Sequence, residues 1–281
     1  QMVIEGLAWQ LPGGHAPVFI GVTDIPVITS STENQAPQTA QPISCPCDVS
    51  GQLVRGDEQH WYAIQAKRGE VLYLEGLGQR IWSPVDLGIS ILDAEGKRVL
   101  FRCRDEPGNP GGLNLPTRHT DPSGRWVAPS DARYLVVVHN QAGSIHDDPR
   151  RLYRLIIRRE EPRLDVTAAS PGTSPSGLNV TRGGRAVLDI VALRRRGLTG
   201  DIRIAARNLP SGLECPDIWL GPGVNHGQLV ITAGQGADPY SGALSLVASA
   251  NGLTPQPVNS GTVVRAGRPS GWSRLTDEIP L

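Results

Sequence analysis

An all-β chain of two tandem β-sandwiches, with an N-terminal strand arm, is the architecture this sequence predicts. Three observations predict it. Apolar residues recur with period 2 between turn signals, which marks half-buried strands. The 33 Gly and 24 Pro favour many turns and short strands over long helices, and no helical pattern exceeds two turns. The length of 281 residues suits about two domains of roughly 100–200 residues each.

Residues 1–36 read as the arm and a link. Met2 to Trp9 and Pro17 to Val22 are short apolar segments separated by Leu11-Pro12-Gly13-Gly14, and neither has an evident partner nearby. Two short strands are not stable alone, so they are expected to pack on a later domain or on a neighbour. Residues 37–160 read as the first sandwich. Tyr62, Ile64 and Ala66 share one face, and the turn at Lys67-Arg68-Gly69 leads into Val71-Leu72-Tyr73-Leu74. Leu87, Ile89 and Ile91 alternate up to a tight turn at Asp93-Ala94-Glu95-Gly96, where Gly supplies positive φ. Tyr134, Val136 and Val138, then Tyr153, Leu155 and Ile157, give the later strands, while Arg104 to Asp121 reads as an irregular loop. Arg158-Arg159-Glu160-Glu161-Pro162 reads as the boundary. Residues 161–266 hold a second series, with Val187 to Leu193, Ile202 with Ile204, Leu229 with Ile231, and Leu244 with Leu246. That spacing suits a sandwich of about 100 residues. Residues 267–281 read as a polar tail anchored by Trp272.

Charge narrows the function. With 27 Lys+Arg against 27 Asp+Glu, no basic field exists to attract phosphate or anionic lipid. Only Lys67 and Lys97 of those cations are Lys, and the Arg are dispersed among acids. No run approaches the roughly 20 apolar residues of a membrane span. Neither a nucleic-acid partner nor membrane insertion is expected. Gln1 to Glu5 lacks the charged start and apolar core of a signal peptide. Among the four Cys, Cys45-Pro46-Cys47 is too tight to close on itself, and a bridge from Cys45 or Cys47 to Cys103 is expected. A lone C-x-C supplies too few ligands for a zinc site.

Ordered fragments across residues 30–159 carry a resemblance. They are Thr32-Glu33-Asn34-Gln35-Ala36-Pro37, Val49-Ser50-Gly51-Gln52-Leu53, Trp61 to Glu70, Ser83-Pro84-Val85-Asp86-Leu87, Ile91 to Lys97, and Ala128 to Tyr134. Together they resemble the bacterial pre-peptidase C-terminal domain, which implies a jelly-roll-like first sandwich. Arg196-Gly197-Leu198-Thr199-Gly200-Asp201-Ile202 and Asn208-Leu209-Pro210-Ser211-Gly212-Leu213 resemble the immunoglobulin-like domain that often follows it in large secreted or surface proteins. Some relatives bind calcium through a Glu-x-Glu-Pro-Asn-Asp link. Here the matching positions are Ser30, Thr32, Glu33, Asn34 and Gln35, and His60 stands where an Asp is expected. Glu33, Asn34, Asp57, Glu58 and Asp86 remain as oxygen donors for calcium, which wants six to eight oxygens with several carboxylates among them. The Gly expected before the strand tyrosine is Ala132.

No G-x-S-x-G, H-E-x-x-H or P-loop pattern occurs. A hydrolase would need His60 or His139 about 3 Å from a nucleophile; His146-Asp147-Asp148 reads as a solvated turn. Glu58 and His60, beside Trp61-Tyr62, are candidates to line a groove. Trp61, Trp82, Trp126 and Trp219 offer flat, rigid area for stacking on sugar or clamping peptide, although with two Phe the cores need Trp as well. The expected function is therefore a non-catalytic module, secreted or at the cell surface, that contacts protein or polysaccharide. Its rivals are a surface-layer or filament subunit that binds neighbouring copies by N-terminal strand exchange, and a substrate-binding accessory domain of a secreted protease or glycosidase. No cofactor other than calcium is implied.

Overall fold

Alternation is what the chain turns into sheets. The computed structural model describes residues 6–9, 12–13, 18–106, 108–112, 117–142, 146–170, 178–264, 272–276 and 279–281. They form strands joined by turns and short 3-10 segments, with no α-helix among the described residues. Two compact units result, one built from Val3–Pro107 and Arg118–Glu161, the other containing Pro162–Leu281.

The first unit begins with β1 (Gly6–Trp9) and β2 (Val18–Gly21), then β3 (Val27–Thr29), β4 (Gln41–Pro42), β5 (Cys47–Gln52), β6 (Gln59–Ala66) and β7 (Val71–Leu77). It continues with β8 (Leu87–Leu92), β9 (Val99–Arg102), β10 (Arg104–Glu106), β11 (His119–Val127), β12 (Ala132–Asn140) and β13 (Leu152–Arg159). One sheet runs β10-β11-β7-β13-β5-β3 and the other β4-β6-β12-β8-β9. All pairs are antiparallel except β3 beside β5 and β4 beside β6. Those two parallel strands flank the link, so residues 30–40 cross from an edge of one sheet to an edge of the other. The link thereby straps one open side of the sandwich.

Every second side chain of these strands enters a common core. Tyr62 and Ile64, Leu87, Ile89 and Ile91, Val136 and Val138, and Tyr153, Leu155 and Ile157 are buried together. The two predicted turns form: the Glu70 N–H donates to the Lys67 carbonyl at 2.9 Å, and Asp93 Oδ1 accepts the Lys97 N–H at 2.8 Å, with Gly69 and Gly96 at positive φ.

In the second unit β14 (Arg163–Ala169), β15 (Arg185–Arg195), β16 (Ile202–Arg207), β17 (Leu213–Glu214), β18 (Ile218–Leu220) and β19 (His226–Ala233) come first. They are followed by β20 (Ala243–Ala250), β21 (Gln256–Pro257), β22 (Asn259–Val264), β23 (Trp272–Thr276) and β24 (Ile279–Pro280). The sheets are β17-β19-β15-β14-β22-β23 and β18-β16-β20-β21, with β24 also on β20. Leu188, Ile190, Ile202, Ile204, Leu229, Ile231, Leu244 and Leu246 fill the core between them.

Three expectations are corrected. The arm strands are partners of each other, since β1 and β2 pair antiparallel. The stretch from Arg104 to Asp121 contains β10, paired with the start of β11. It has no alternation because β10, Arg104-Asp105-Glu106, is a polar strand at the edge of its sheet. The tail is not outside the fold: β23 pairs with β22, and Ile279 of β24 is buried in the second core.

Leu155 is fully buried whereas Leu152 on the same strand is 51% exposed. Leu155→Ala is expected to cost about 2–5 kcal/mol, by lost burial and a residual cavity. Leu152→Ala is expected to stay within about 0.5 kcal/mol. Urea denaturation followed by circular dichroism checks both.

Candidate functional site

The strapped side of the first sandwich gathers a cluster of polar side chains. The link is closed on itself by Gln41, whose Nε2 donates to the Thr29 carbonyl (3.0 Å) while its Oε1 accepts the Ser31 N–H (2.7 Å). It is tied to β6 by the Trp61 N–H donating to the Asn34 carbonyl at 2.7 Å. The alternation that sends Tyr62 and Ile64 inward also sends His60 inward, and Tyr153 arrives from β13. Gly51, opposite Tyr153 on β5, makes room for its ring: a Cβ there would lie 2.3 Å from the Tyr153 Cζ and hydroxyl.

His60 is the hinge of the cluster. Its Nε2 lies 3.1 Å from Glu58 Oε1, and its Nδ1 lies 2.7 Å from the Tyr153 hydroxyl and 3.1 Å from Ser30 Oγ. A carboxylate only accepts, so Nε2 carries the hydrogen and Nδ1 is left with one lone pair. The Tyr153 O–H fills that lone pair at the shorter distance. Ser30 Oγ in turn accepts the Tyr62 O–H at 2.7 Å and the Asn34 amide at 3.4 Å, and the two tyrosine hydroxyls touch. Asn34 is fully buried, and its Oδ1 has no protein partner. Glu58 is bound further by the Arg55 N–H (3.0 Å) and Gln35 Nε2 (3.3 Å), and Arg55 Nη2 donates to Gln35 Oε1 (2.8 Å).

This is a serine, a histidine and a carboxylate in line, with the histidine about 3 Å from the nucleophile as hydrolysis would need. The Tyr153 hydroxyl at 2.7 Å and Ser30 Oγ at 3.1 Å share the single lone pair on Nδ1. His60, Tyr62 and Tyr153 are all buried, so the line is a hydrogen-bonded knot that holds link, β6 and β13 together.

Of the predicted calcium donors, Asn34 and Glu58 belong to this cluster. Glu33 is exposed, and Asp57 faces Arg55 at 3.8 Å. Asp86 sits at the start of β8, two strands from β6 and so about 10 Å away. Partial burial, then the charges of Asp105 and Asp121, push the Asp86 carboxyl up. Among the described residues no three His, Cys, Asp or Glu side chains are placed to hold a metal.

The expected disulfide is also not formed. Cys45, Cys47, Cys103 and Cys215 are free. Cys103 lies against Gly124 of β11, three strands from Cys47 of β5, and that separation of about 14 Å is far beyond disulfide reach. Burial pushes the Cys103 thiol up to about 12, so it is a core side chain.

The tryptophans divide. Trp126 is in the main core, edge-on to Tyr134 with centroids 4.8 Å apart. Trp61 lies on the outer face of β6, covered with Ala40, Ala63, Leu92, Leu135 and Val137. Neither is a surface platform, because the link folds over one and the opposing sheet over the other. Trp82 is 68% exposed. It follows a turn pinned by the buried Asp121 carboxylate, which accepts the N–H groups of Gly78 (2.8 Å), Gln79 (2.6 Å) and Arg80 (3.1 Å) as well as Arg80 Nε (2.8 Å). Trp219, on β18 of the second unit, is 65% exposed. The Ser30 and Tyr153 ends of the knot carry no local sequence signal, since one meets His60 from the link and the other from β13.

Burial holds His60 below the ordinary histidine range despite the opposing pull of Glu58, and it holds His119 and His139 down as well. The folded chain therefore keeps these rings neutral, whereas the unfolded chain takes up protons near pH 6.5. Their stabilisation is complete above about pH 6.5 and drains away as the pH falls below it. Urea midpoints are expected to drop between pH 7.5 and pH 5, with a shallower slope in His60→Gln.

No family model matches the sequence, and no curated protein matches it. Among solved structures the chain is similar to the 1.0 Å crystal structure of the pre-peptidase C-terminal domain of collagenase from Bacillus anthracis. The TM-score is 0.32 at 12% identity, over 42% of this chain and 94% of that one.

Proposed function

We propose that the chain is a non-catalytic module of two β-sandwiches that acts outside the cytoplasm, by surface contact with protein or polymer. The observation that carries this reading is the filled lone pair of His60. Tyr153 donates to Nδ1 at 2.7 Å, so the Ser30–His60–Glu58 line has a base with nothing left to accept. The apolar residues that could wall a reaction cleft are spent instead on two closed cores. The outside location is supported by the sequence fragments that resemble a module of secreted proteins.

The knot also makes calcium unnecessary in this reading. Arg55 brings a permanent cation to the link, where it binds Gln35 and faces Asp57, and Glu58 is taken by His60 and the Arg55 N–H. Glu58 and Asp57 thus already have protein partners, whereas Asn34 Oδ1 has none. Millimolar calcium or a chelator is expected to move the melting temperature by less than about 1 °C, well under what a ligand at 100 times its Kd produces. A rise of several degrees with calcium would show a filled site.

A fluorophosphonate probe tests the absence of catalysis directly. The folded protein is expected to gain no adduct above that of a Ser30→Ala control, and no hydrolysis of p-nitrophenyl acetate that depends on Ser30. A stoichiometric adduct on Ser30 would overturn the reading.

A further inference from the structure

The outer face of the β18-β16-β20 sheet carries an arrangement that neither core uses. Ile218 and Leu220 of β18 point inward, and Ile202 and Ile204 of β16 do the same. Trp219 and Arg203 therefore point outward, directly opposite each other in register, and Ser249 of β20 lies opposite Arg203 on the other side. One row across three strands thus reads Trp219, Arg203, Ser249. Asp217 lies beside it, with its Oδ2 accepting Arg203 Nε at 2.7 Å. The neighbouring outward pair is Ala205 and Val247, of which Ala205 is buried. The row is thus bordered by an exposed indole and an Arg–Asp pair.

We infer that this face binds a neutral polysaccharide chain, with one pyranose ring lying flat on Trp219. The inference rests on the non-catalytic contact reading and gives it a ligand class. The π-face of an indole is electron-rich and attracts the slightly positive C–H hydrogens on the face of a sugar ring. The Asp217 carboxylate accepts hydroxyl protons while the Arg203 guanidinium donates to hydroxyl oxygens, and their mutual pairing fixes both in place. Because the pair cancels its own charge, it offers no net attraction to a charged polymer. A protein partner would need several apolar anchors in a covered patch, whereas Trp219 is the large apolar side chain this face exposes among the described residues.

The test uses the whole chain. Cello-, chito- and malto-hexaose are titrated by tryptophan fluorescence, and sedimentation with insoluble cellulose, chitin and starch gives a second readout. At least one neutral glycan is expected to bind. Trp219→Ala should weaken binding about tenfold, which corresponds to about 1.4 kcal/mol. Trp219→Phe should retain most of the binding, Asp217→Asn should weaken it several-fold, and Trp82→Ala should leave it unchanged. The exposed position of Trp219 keeps the variants folded, which their melting temperatures verify. Failure of all these glycans to bind would overturn the inference. So would binding that survives Trp219→Ala, preference for an acidic glycan with strong salt dependence, or a Trp219-dependent self-association in place of glycan binding. None of those outcomes touches the fluorophosphonate result, so the two readings fail separately.

Discussion

The hydrogen bond from the Tyr153 hydroxyl to His60 Nδ1 fixes more of the first unit than its size suggests. Because the Glu58 carboxylate only accepts, it places the hydrogen on Nε2 and leaves Nδ1 to accept from the neighbouring hydroxyl. Tyr62 turns to Ser30, and Asn34 turns its amide toward the same oxygen. A buried polar group without a partner costs about 1–3 kcal/mol, so the members of such a cluster stand or fall together. The knot ties the link, β6 and β13 at the one side of the sandwich where two parallel edge strands leave the sheets to be bridged.

Chemistry and architecture are in competition at this point. Ser30, His60 and Glu58, residue types that move protons in hydrolases, are here bonded to partners from the link, β6 and β13. The second unit shows the complementary economy. Its inward positions are almost entirely aliphatic, so a large aromatic such as Trp219 has no role in that core and stands on the outside.

The strands were legible because burial imposes a period of 2 that survives in the residue order, as Tyr153-x-Leu155-x-Ile157 and Ile202-x-Ile204 illustrate. What escaped is whatever edge strands and long-range pairings determine. β10 is a polar edge strand with no apolar alternation, and the β1–β2 pairing depends on a connection that alternation does not encode. The knot was half visible. Glu58 and His60 stand together in the sequence beside Trp61-Tyr62, but Ser30 and Tyr153 reach His60 from positions 30 and 93 residues away. The tryptophans were indistinguishable in sequence because each sits beside strand-like residues. Only the facing side chains decide that Trp61 and Trp126 are covered while Trp82 and Trp219 are not. The cysteine pairing failed for a related reason, since membership of one domain does not bring strands three places apart within bonding distance.

The scarcity of lysine has a practical side that follows from the hairpins. Lys67 and Lys97 are both exposed, and both sit at tight turns of the first unit. Every lysine side chain open to coupling with a resin, sensor chip or dye therefore lies on the first unit, and none lies on the second.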